Sequence, residues 1–482
     1  MKTIQVVLAL AGVASARFEP LQHLGANSPW FAGPNNNAIS AEVPAQCTVD
    51  QAFYVVRHGS RYPDPGAYRE WTDLHAKASL QSANYTARGD LAFMKSWKPV
   101  LEYPDQQIAM LSPGGYRELY TLGSHLRFRY PEFYEYGQPF LLWANDYQRT
   151  IDSARLFARG YLGPNSSLAD IHVVTASQPS ALGNSLATSD QCPTFKDTSG
   201  SPKTTTWDAE YLPKIIRRLN RMIEGGFELN ATDVPKLPYL CGFETQITGR
   251  RSPWCDVFKE SEILDYEYRQ DLRYYYGTGP GAGNNASVML PVLQGVVDVL
   301  TAGPGVTAKR TNGSDAVLPR LLVAFTHDNQ INEVASITGV FDEQRPLNPS
   351  RRDDRRIYIS SNINPMRGTV TFERLNCDGQ INVRVRLNDA VYAVPSCSSG
   401  PGSSCPLADY ASLVKRRFEA AGQFGQFCNV SQDKVIKSPT GGVTFFTDLT
   451  LPAIRVVKPR ERWTRRCRAM VWFLRCTPQR RV

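Results

Sequence analysis

Arg57, His58 and Arg61 lie in the stretch FYVVRHGSRYPDP (53–65), at the end of an apolar run that Pro63 and Pro65 close. Charged groups at the end of a buried strand are costly unless an anion meets them. Two further segments share the layout: PFLLWA (139–144) leads through Asn145 and Asp146 to Arg149, and RLLVAFT (320–326) leads into His327 and Asp328. Three guanidiniums offer forked donors that match phosphate oxygens in pairs. A neutral imidazole held in one tautomer can attack phosphorus, and a carboxylic acid can protonate the departing alkoxide. Gathered in one crevice, these residues could cleave a phosphate monoester without a metal, the arginines neutralising the transferring phosphoryl group. Gly59 lets ligand and backbone approach closely. Burial and the neighbouring arginines push His58 toward its neutral form. It could then attack at a pH where Asp328 keeps its proton, which predicts acid-shifted activity.

Apolar runs this short, rich in Val, Phe and Leu, suit strands buried on both faces, as in parallel sheets. TIDSARLFARGY (150–161) puts Ile151, Ala154, Phe157 and Ala158 on one helical face, with Asn145 or Asp146 as its cap and Arg149 near its start. In open α/β sheets, ligands bind beyond the carboxyl ends of the strands, so three such ends in one sheet would converge. Helical periodicity also marks 114–130, 209–225 and 261–277. GTGPGAG (277–283) lacks G-x-G-x-x-G spacing and a preceding strand, and reads as a loop. The expected fold class is α/β. A doubly wound, mainly parallel sheet domain (17–66, 138–180 and 305–454) would carry an inserted, mainly α-helical domain (67–137 and 181–304).

Over the 482 residues, 42% are apolar and 21% charged, which excludes a largely disordered chain. Residues 1–16 read as a secretory signal: Lys2, an apolar run from Ile4 to Val13, then Ala14-Ser15-Ala16. No later apolar run approaches the roughly 18 residues of a membrane span. Sequons at Asn84, Asn165, Asn230, Asn285, Asn312 and Asn429 are glycosylation candidates. Ten cysteines in an exported chain point to disulfides. Cys241–Cys255 and Cys397–Cys405 are close enough to close small loops, whereas the order of Cys47, Cys192, Cys377 and Cys428 stays open. The stretch from Arg455 to Val482 holds nine Arg, one Lys and one Glu, which accounts for the whole formal charge of +9. That basic tail (455–482) reads as a disordered extension rather than a nucleic-acid or membrane-binding surface.

The motif RHGSRYP (57–63), with HD at 327–328 after an apolar strand, resembles the histidine acid phosphatases, which include fungal phytases. LSPGGYRELYTLGSHLRFRY (111–130), DLRYYYGTGPG (271–281), INPMRGTVTFERLNC (363–377) and SGPGSSCPLADY (399–410) agree, so the likeness runs from about Cys47 to about residue 435. The resemblance implies His58 as the nucleophile that forms a phosphohistidine and Asp328 as proton donor. It implies Arg57, Arg61, Arg149 and His327 as phosphate ligands. It also implies disulfides Cys47–Cys377, Cys192–Cys428, Cys241–Cys255 and Cys397–Cys405, leaving Cys467 and Cys476 without counterparts.

After the motif come Asp64 and Glu70 with only Arg69 basic, and Glu262 resembles a position where the acid-phosphatase branch places an acidic residue near substrate, so Glu70 and Glu262 are expected at the substrate rim. An acidic rim suits a broad monoesterase better than a strict phytase, whose pocket would be ringed with lysine and arginine. The six histidines, including His23, His75, His125 and His172, show no paired metal-ligand spacing, so no metal or cofactor is expected. The expected partners are small phosphate monoesters, with neither nucleic acid nor membrane, and the expected location is extracellular. An inactive secreted phosphate-binding homologue is the alternative. A phosphoglycerate-mutase-type enzyme, which shares the Arg-His-Gly segment, is disfavoured by the export signals.

Overall fold

The structure is a computed structural model that describes residues 18–80, 84–175, 182–435 and 437–459. The signal-like segment 1–16, Cys467, Cys476 and the basic stretch beyond residue 459 lie outside the described residues. Among those described, a nine-stranded sheet runs through the molecule. Its strands are β1 (Cys47–Arg57), β2 (Phe140–Asn145), β3 (Ala169–Val174), β4 (Leu321–Thr326) and β5 (Thr369–Cys377). They continue with β6 (Gln380–Leu387), β7 (Ala390–Tyr392), β8 (Cys405–Pro406) and β9 (Ile454–Val457). The order is β7-β6-β5-β1-β4-β2-β3-β9, with β8 beside β6.

β1, β4, β2 and β3 are parallel, whereas β5 to β9 pair antiparallel with their neighbours. The sheet is therefore mixed, parallel at its centre. Tight turns produce the antiparallel side: Asp378 and Gly379 have φ of 51° and 89°, and Asn388 and Asp389 have 46° and 74°. Two successive positive-φ residues are what a type I′ hairpin turn requires.

Side chains alternate between two cores. Phe53, Val55, Leu141, Trp143, Leu322 and Ala324 enter one; Tyr54, Val56, Leu142, Ala144, Val323 and Phe325 enter the other. Burial of both faces is the reason the sequence shows unbroken apolar runs. The longer helices are α1 (Pro65–Leu80), α2 (Pro113–Arg129), α3 (Gln148–Leu162), α4 (Ser201–Asn220) and α5 (Leu237–Thr248), then α6 (Glu260–Gly277), α7 (Leu290–Ala302), α8 (Asp328–Ile337) and α9 (Leu407–Ala421).

Several expected boundaries move. α2 falls within the stretch assigned to the helical insert, yet Leu119, Leu122 and Leu126 form a stripe that packs with Ile151, Ala154 and Phe157 of α3 on one sheet face. α4 stops at Asn220, and Ile223–Gly225 forms a strand against Tyr85–Ala87, so periodicity over 209–225 overran the helix. β9 carries the ordered body past residue 454, pairing Arg455 with Val173 and Val457 with Ile171. A helical stretch at 284–302 is long and apolar enough to cross a membrane, contrary to the sequence expectation. It is 72% buried in the fold, which marks a core helix.

Disulfides join Cys47–Cys377, Cys192–Cys428, Cys241–Cys255 and Cys397–Cys405.

Two outcomes follow from burial. The Asn285 amide donates to the carbonyls of Lys196 (2.7 Å) and Gly277 (3.0 Å) and to the Ser199 hydroxyl (3.2 Å). A glycan there would destroy these bonds, and the Asn165 amide nitrogen is buried. Peptide mapping of protein from a glycosylating host should find glycans among Asn84, Asn230, Asn312 and Asn429, with Asn285 and Asn165 bare. On α8, both carboxyl oxygens of Glu333 are buried, with Ser189 nearby but no hydrogen-bond partner within 3.5 Å among the described residues. Burial first, then Asp190, Asp328 and Asp197, raises this carboxyl well above its ordinary 4.5. The unfolded chain releases that proton near 4.5 and the folded one keeps it, so stability falls as pH rises above about 4.5. Glu333→Gln should raise Tm by several degrees at pH 7 and by much less at pH 4; equal shifts at both pH values would show that the carboxyl ionises in place.

Candidate active site

The strand order puts β4 between β1 and β2, so the three charged clusters emerge side by side at the carboxyl ends of parallel strands. His58 follows β1, His327 and Asp328 follow β4, and Arg149 sits in the first turn of α3, just after β2. The helix cap differs from expectation: Asn145 is the last residue of β2, paired with Val174, and Tyr147 is the N-cap without a side-chain capping bond.

The backbone around His58 is tied down on every side. The His58 N–H donates to the Thr326 carbonyl (3.0 Å), and its own carbonyl accepts from the Arg367 N–H (3.0 Å). The Gly59 N–H donates to the Ser153 hydroxyl (3.3 Å). The Ser60 carbonyl accepts from the Ser112 N–H (3.0 Å). Here the first turn of α2 presses on the loop. A Cβ on Gly59 would lie 2.2 Å from Leu119 Cδ2, and one on Gly115 would lie 2.0 Å from the Ser60 carbonyl oxygen. Only glycine fits at either position.

Hydrogen-bond logic fixes both imidazoles. His58 Nδ1 lies 2.9 Å from the Gly59 carbonyl oxygen, which can only accept. Nδ1 therefore carries the proton and Nε2 carries the lone pair. His327 Nδ1 lies 3.1 Å from Arg149 Nη2, which can only donate, so the His327 proton is on Nε2. The two rings are 5.5 Å apart.

Arg57 is nearly fully buried; its Nη1 donates to the carbonyls of Ala26 (2.6 Å) and Asn364 (2.8 Å), and its Nη2 lies 3.5 Å from Asp328 Oδ2. Arg61 bonds the Tyr62 carbonyl (3.0 Å) and meets Asp64 at 3.4 Å. Four buried donors around His58 have no partner among the described residues: Nε of Arg57, Arg61 and Arg149, and Nε2 of His327. Such donors suit the oxygens of a tetrahedral oxyanion.

The electrostatics follow. Burial first, then Arg149, Arg57, His327 and Arg61, holds His58 well below the usual histidine range. Burial and the same guanidiniums lower His327 to about 3, against the pull of Asp328. Burial pushes the Asp328 carboxyl up, but Arg57 above all, with His58, Arg61 and Arg273, outweighs it and leaves the group below its ordinary range. Asp328 is thus held toward its ionised form, against the expectation that it keeps its proton beside a neutral His58.

Glu262 is not brought to the site. It sits in the first turn of α6, binds Arg218 at 2.6 Å, and lies roughly 18 Å of helix rise before Tyr274. Glu70 accepts from the Tyr239 hydroxyl; Tyr239 packs on Phe243, whose ring lies under Arg61. Sequence reasoning assigned no role to three neighbours. Tyr274 donates to Asp328 Oδ2 (3.0 Å), Arg273 stacks on Tyr274 (4.9 Å), and Tyr147 meets the His327 ring edge-on (4.7 Å). Arg273 and Tyr274 lie in DLRYYYGTGPG, a segment noticed only as a likeness.

Comparison with known proteins identifies the family and the fold. The model of the histidine phosphatase superfamily (branch 2) matches residues 48–388. Acid phosphatase PHO1 of Komagataella pastoris is 29% identical over 430 residues, 86% of this chain and 88% of that protein. Phytase PHO112 of Candida albicans is 28% identical over 412 residues, 83% and 85% respectively. Thiamine-repressible acid phosphatase pho4 of Schizosaccharomyces pombe is 30% identical over 423 residues, 82% and 87%. The crystal structure of the phytase from D. castellii matches the fold with a TM-score of 0.78 at 24% identity, covering 89% of this chain and 90% of that one. With its RHGSRYP and HD segments inside the matched region, the chain belongs to branch 2 of the histidine phosphatase superfamily.

Proposed function

We propose that the protein hydrolyses small phosphate monoesters at acid pH through a phosphohistidine on His58. The observation that carries this reading is the paired tautomer assignment. His58 Nε2 holds a lone pair, while His327 Nε2–H and three guanidiniums offer buried donors beside it. Arg57, Arg61, Arg149 and His327 would grip the phosphoryl oxygens. His58 Nε2 forms a bond to phosphorus as the ester P–O bond breaks, and the leaving oxygen takes the proton of Asp328. The resulting carboxylate then accepts a proton from water, whose oxygen attacks phosphorus. The P–N bond breaks, and neutral His58 returns with inorganic phosphate.

Asp328 must first be protonated, and the field that ionises it comes from guanidiniums that two carboxylates compensate only in part. An entering phosphate neutralises them, and a monoanionic ester brings the proton itself. Substrate breadth is read from the rim. Asp64 meets Arg61 at 3.4 Å and Asp190 is near enough to Arg149 to feel its charge; acidic groups beside the clamp support a broad monoesterase over a strict phytase, with phytate as one substrate among many. Secretion is part of the proposal, supported by the signal-like N-terminus and four disulfides, which persist in oxidising compartments. Neither nucleic acid nor membrane enters this reading.

His58→Ala should lower phosphate release by more than about a thousandfold in the presence of EDTA. Phosphate binding without turnover in the unaltered protein would overturn the reading. Asp328→Asn should lower kcat on alkyl phosphates by about 10²–10⁴. The loss should be far smaller on p-nitrophenyl phosphate, whose leaving group needs no proton. Because the ester's second pKa is about 6, kcat/KM should fall as pH rises above about 6; a rate that keeps rising to pH 8 would exclude monoanion delivery of the proton.

A further inference from the structure

Glu118, on the second turn of α2, touches neither strand end nor phosphate ligand. Its carboxylate accepts from the Ser60 N–H (2.7 Å), the Ser60 hydroxyl (2.8 Å) and the Trp30 N–H (3.3 Å). The Ser60 N–H and the Gly59 carbonyl are the two ends of one planar peptide group. On the far side of that peptide, the same Gly59 carbonyl accepts the His58 Nδ1 proton at 2.9 Å. The chain of contacts therefore runs from carboxylate to peptide N–H, through the peptide to its carbonyl, and on to the imidazole.

We propose that Glu118 is a positioning residue that fixes and polarises His58 through the Gly59–Ser60 peptide. This rests on the reading of His58 as the nucleophile. A negative charge at the N–H end draws electron density toward the carbonyl oxygen, and hydrogen bonds in series strengthen one another. The strengthened carbonyl holds the Nδ1 proton in place and keeps the Nε2 lone pair aimed outward. As Nε2 bonds to phosphorus, positive charge spreads over the ring, and the relay opposes it from the far side while Nδ1 keeps its proton. The linkage is rigid because no side chain fits at Gly59 or Gly115, which seats α2 directly on the loop.

The charged groups around the pair are few. Arg367 faces Glu118, its guanidinium 3.5 Å from the centre of the Trp30 ring, and Arg57 is near enough to feel the Glu118 charge. Arg149, Arg57, His327 and Arg61 face His58. Burial raises the Glu118 carboxyl above its ordinary value despite the Ser60 bonds and Arg367.

The test is Glu118→Gln, which keeps the shape and removes the charge. With p-nitrophenyl phosphate, kcat should fall about 10- to 100-fold while KM stays within about threefold, and the acid limb of kcat/KM should move to lower pH. A purely structural role would lower Tm and activity together and leave the pH profile in place, which would overturn the proposal, as would unchanged kcat. Should the variant fail to fold, 15N NMR of histidine-labelled native protein decides. The His58 Nδ1–H resonance should be present, shifted downfield, and should move as Glu118 titrates; a proton on Nε2 instead would sink the idea. His58→Ala separates the layers. If it retains turnover, the nucleophile assignment fails, whereas a dead His58→Ala beside an unaltered Glu118→Gln removes only the relay.

Discussion

Buried positive charge that is only partly compensated is the condition to which the rest of the site answers: Arg57 lies 3.5 Å from Asp328 and Arg61 3.4 Å from Asp64. Burying an isolated guanidinium costs several kcal/mol even after relaxation, and Arg57 is 1% exposed. The usual remedy, a carboxylate in direct contact, would cancel the charge that a phosphate needs. Here Arg57 Nη1 is met by two carbonyl dipoles, Ala26 and Asn364. Asp328 stands back at 3.5 Å from Nη2. Dipoles satisfy the donors while leaving the net charge in place for a ligand.

That solution dictates much of the long-range topology. The two carbonyls come from segments more than 300 residues apart in sequence, so those segments must be locked together. The Gly25 N–H donates to the Ser361 hydroxyl (2.8 Å), and the Met366 N–H donates to the Ser28 carbonyl (2.9 Å). Behind them stands α6. Asp271 accepts from the Ser360 N–H (2.6 Å), and Glu267 and Asp271 share Arg356. One helical turn further on, Tyr274 reaches Asp328. Residues 267, 271 and 274 lie on one face of the helix, so a single buried stripe anchors the loop under Arg57 and orients the carboxylate above it. Arg367 closes the frame at a φ of 59°, a conformation tolerated where surrounding bonds over-determine it.

What was legible in the sequence were features with a local signature. Apolar runs ending in Arg57, Arg149 and His327 announced strands buried on both faces, and their meeting followed from the rule on parallel strand ends. What failed were readings that needed partners from elsewhere. Glu262 looked like a rim acid, but its position three residues after Lys259 makes it a helix-start carboxylate that binds the Lys259 N–H and Arg218. Asn145 looked like a cap because asparagine favours caps, but pairing with Val174 kept it in the strand. The two antiparallel hairpins did have a local signal, Asp378-Gly379 and Asn388-Asp389, and it would have shown that the sheet is mixed. Glu118 had none. Its role depends on two glycines in different segments letting a helix and a loop touch, and sequence spacing does not encode that contact.

The same field sets both reacting groups, and this ties the mechanism to acid. Arg57 and Arg61 lower His58 and Asp328 alike, so the fold cannot make the imidazole available in acid without also stripping the carboxyl of its proton. A pocket with fewer cations would store the proton on Asp328 but protonate the nucleophile. A pocket with a closer carboxylate would do the same by compensating the cations. On the proposed mechanism one consistent cycle is left: the phosphate would itself compensate the guanidiniums before Asp328 acts as an acid. General acid catalysis would then be switched on by the substrate's own charge, and an uncharged or already neutralised ligand would find the proposed nucleophile without a proton donor.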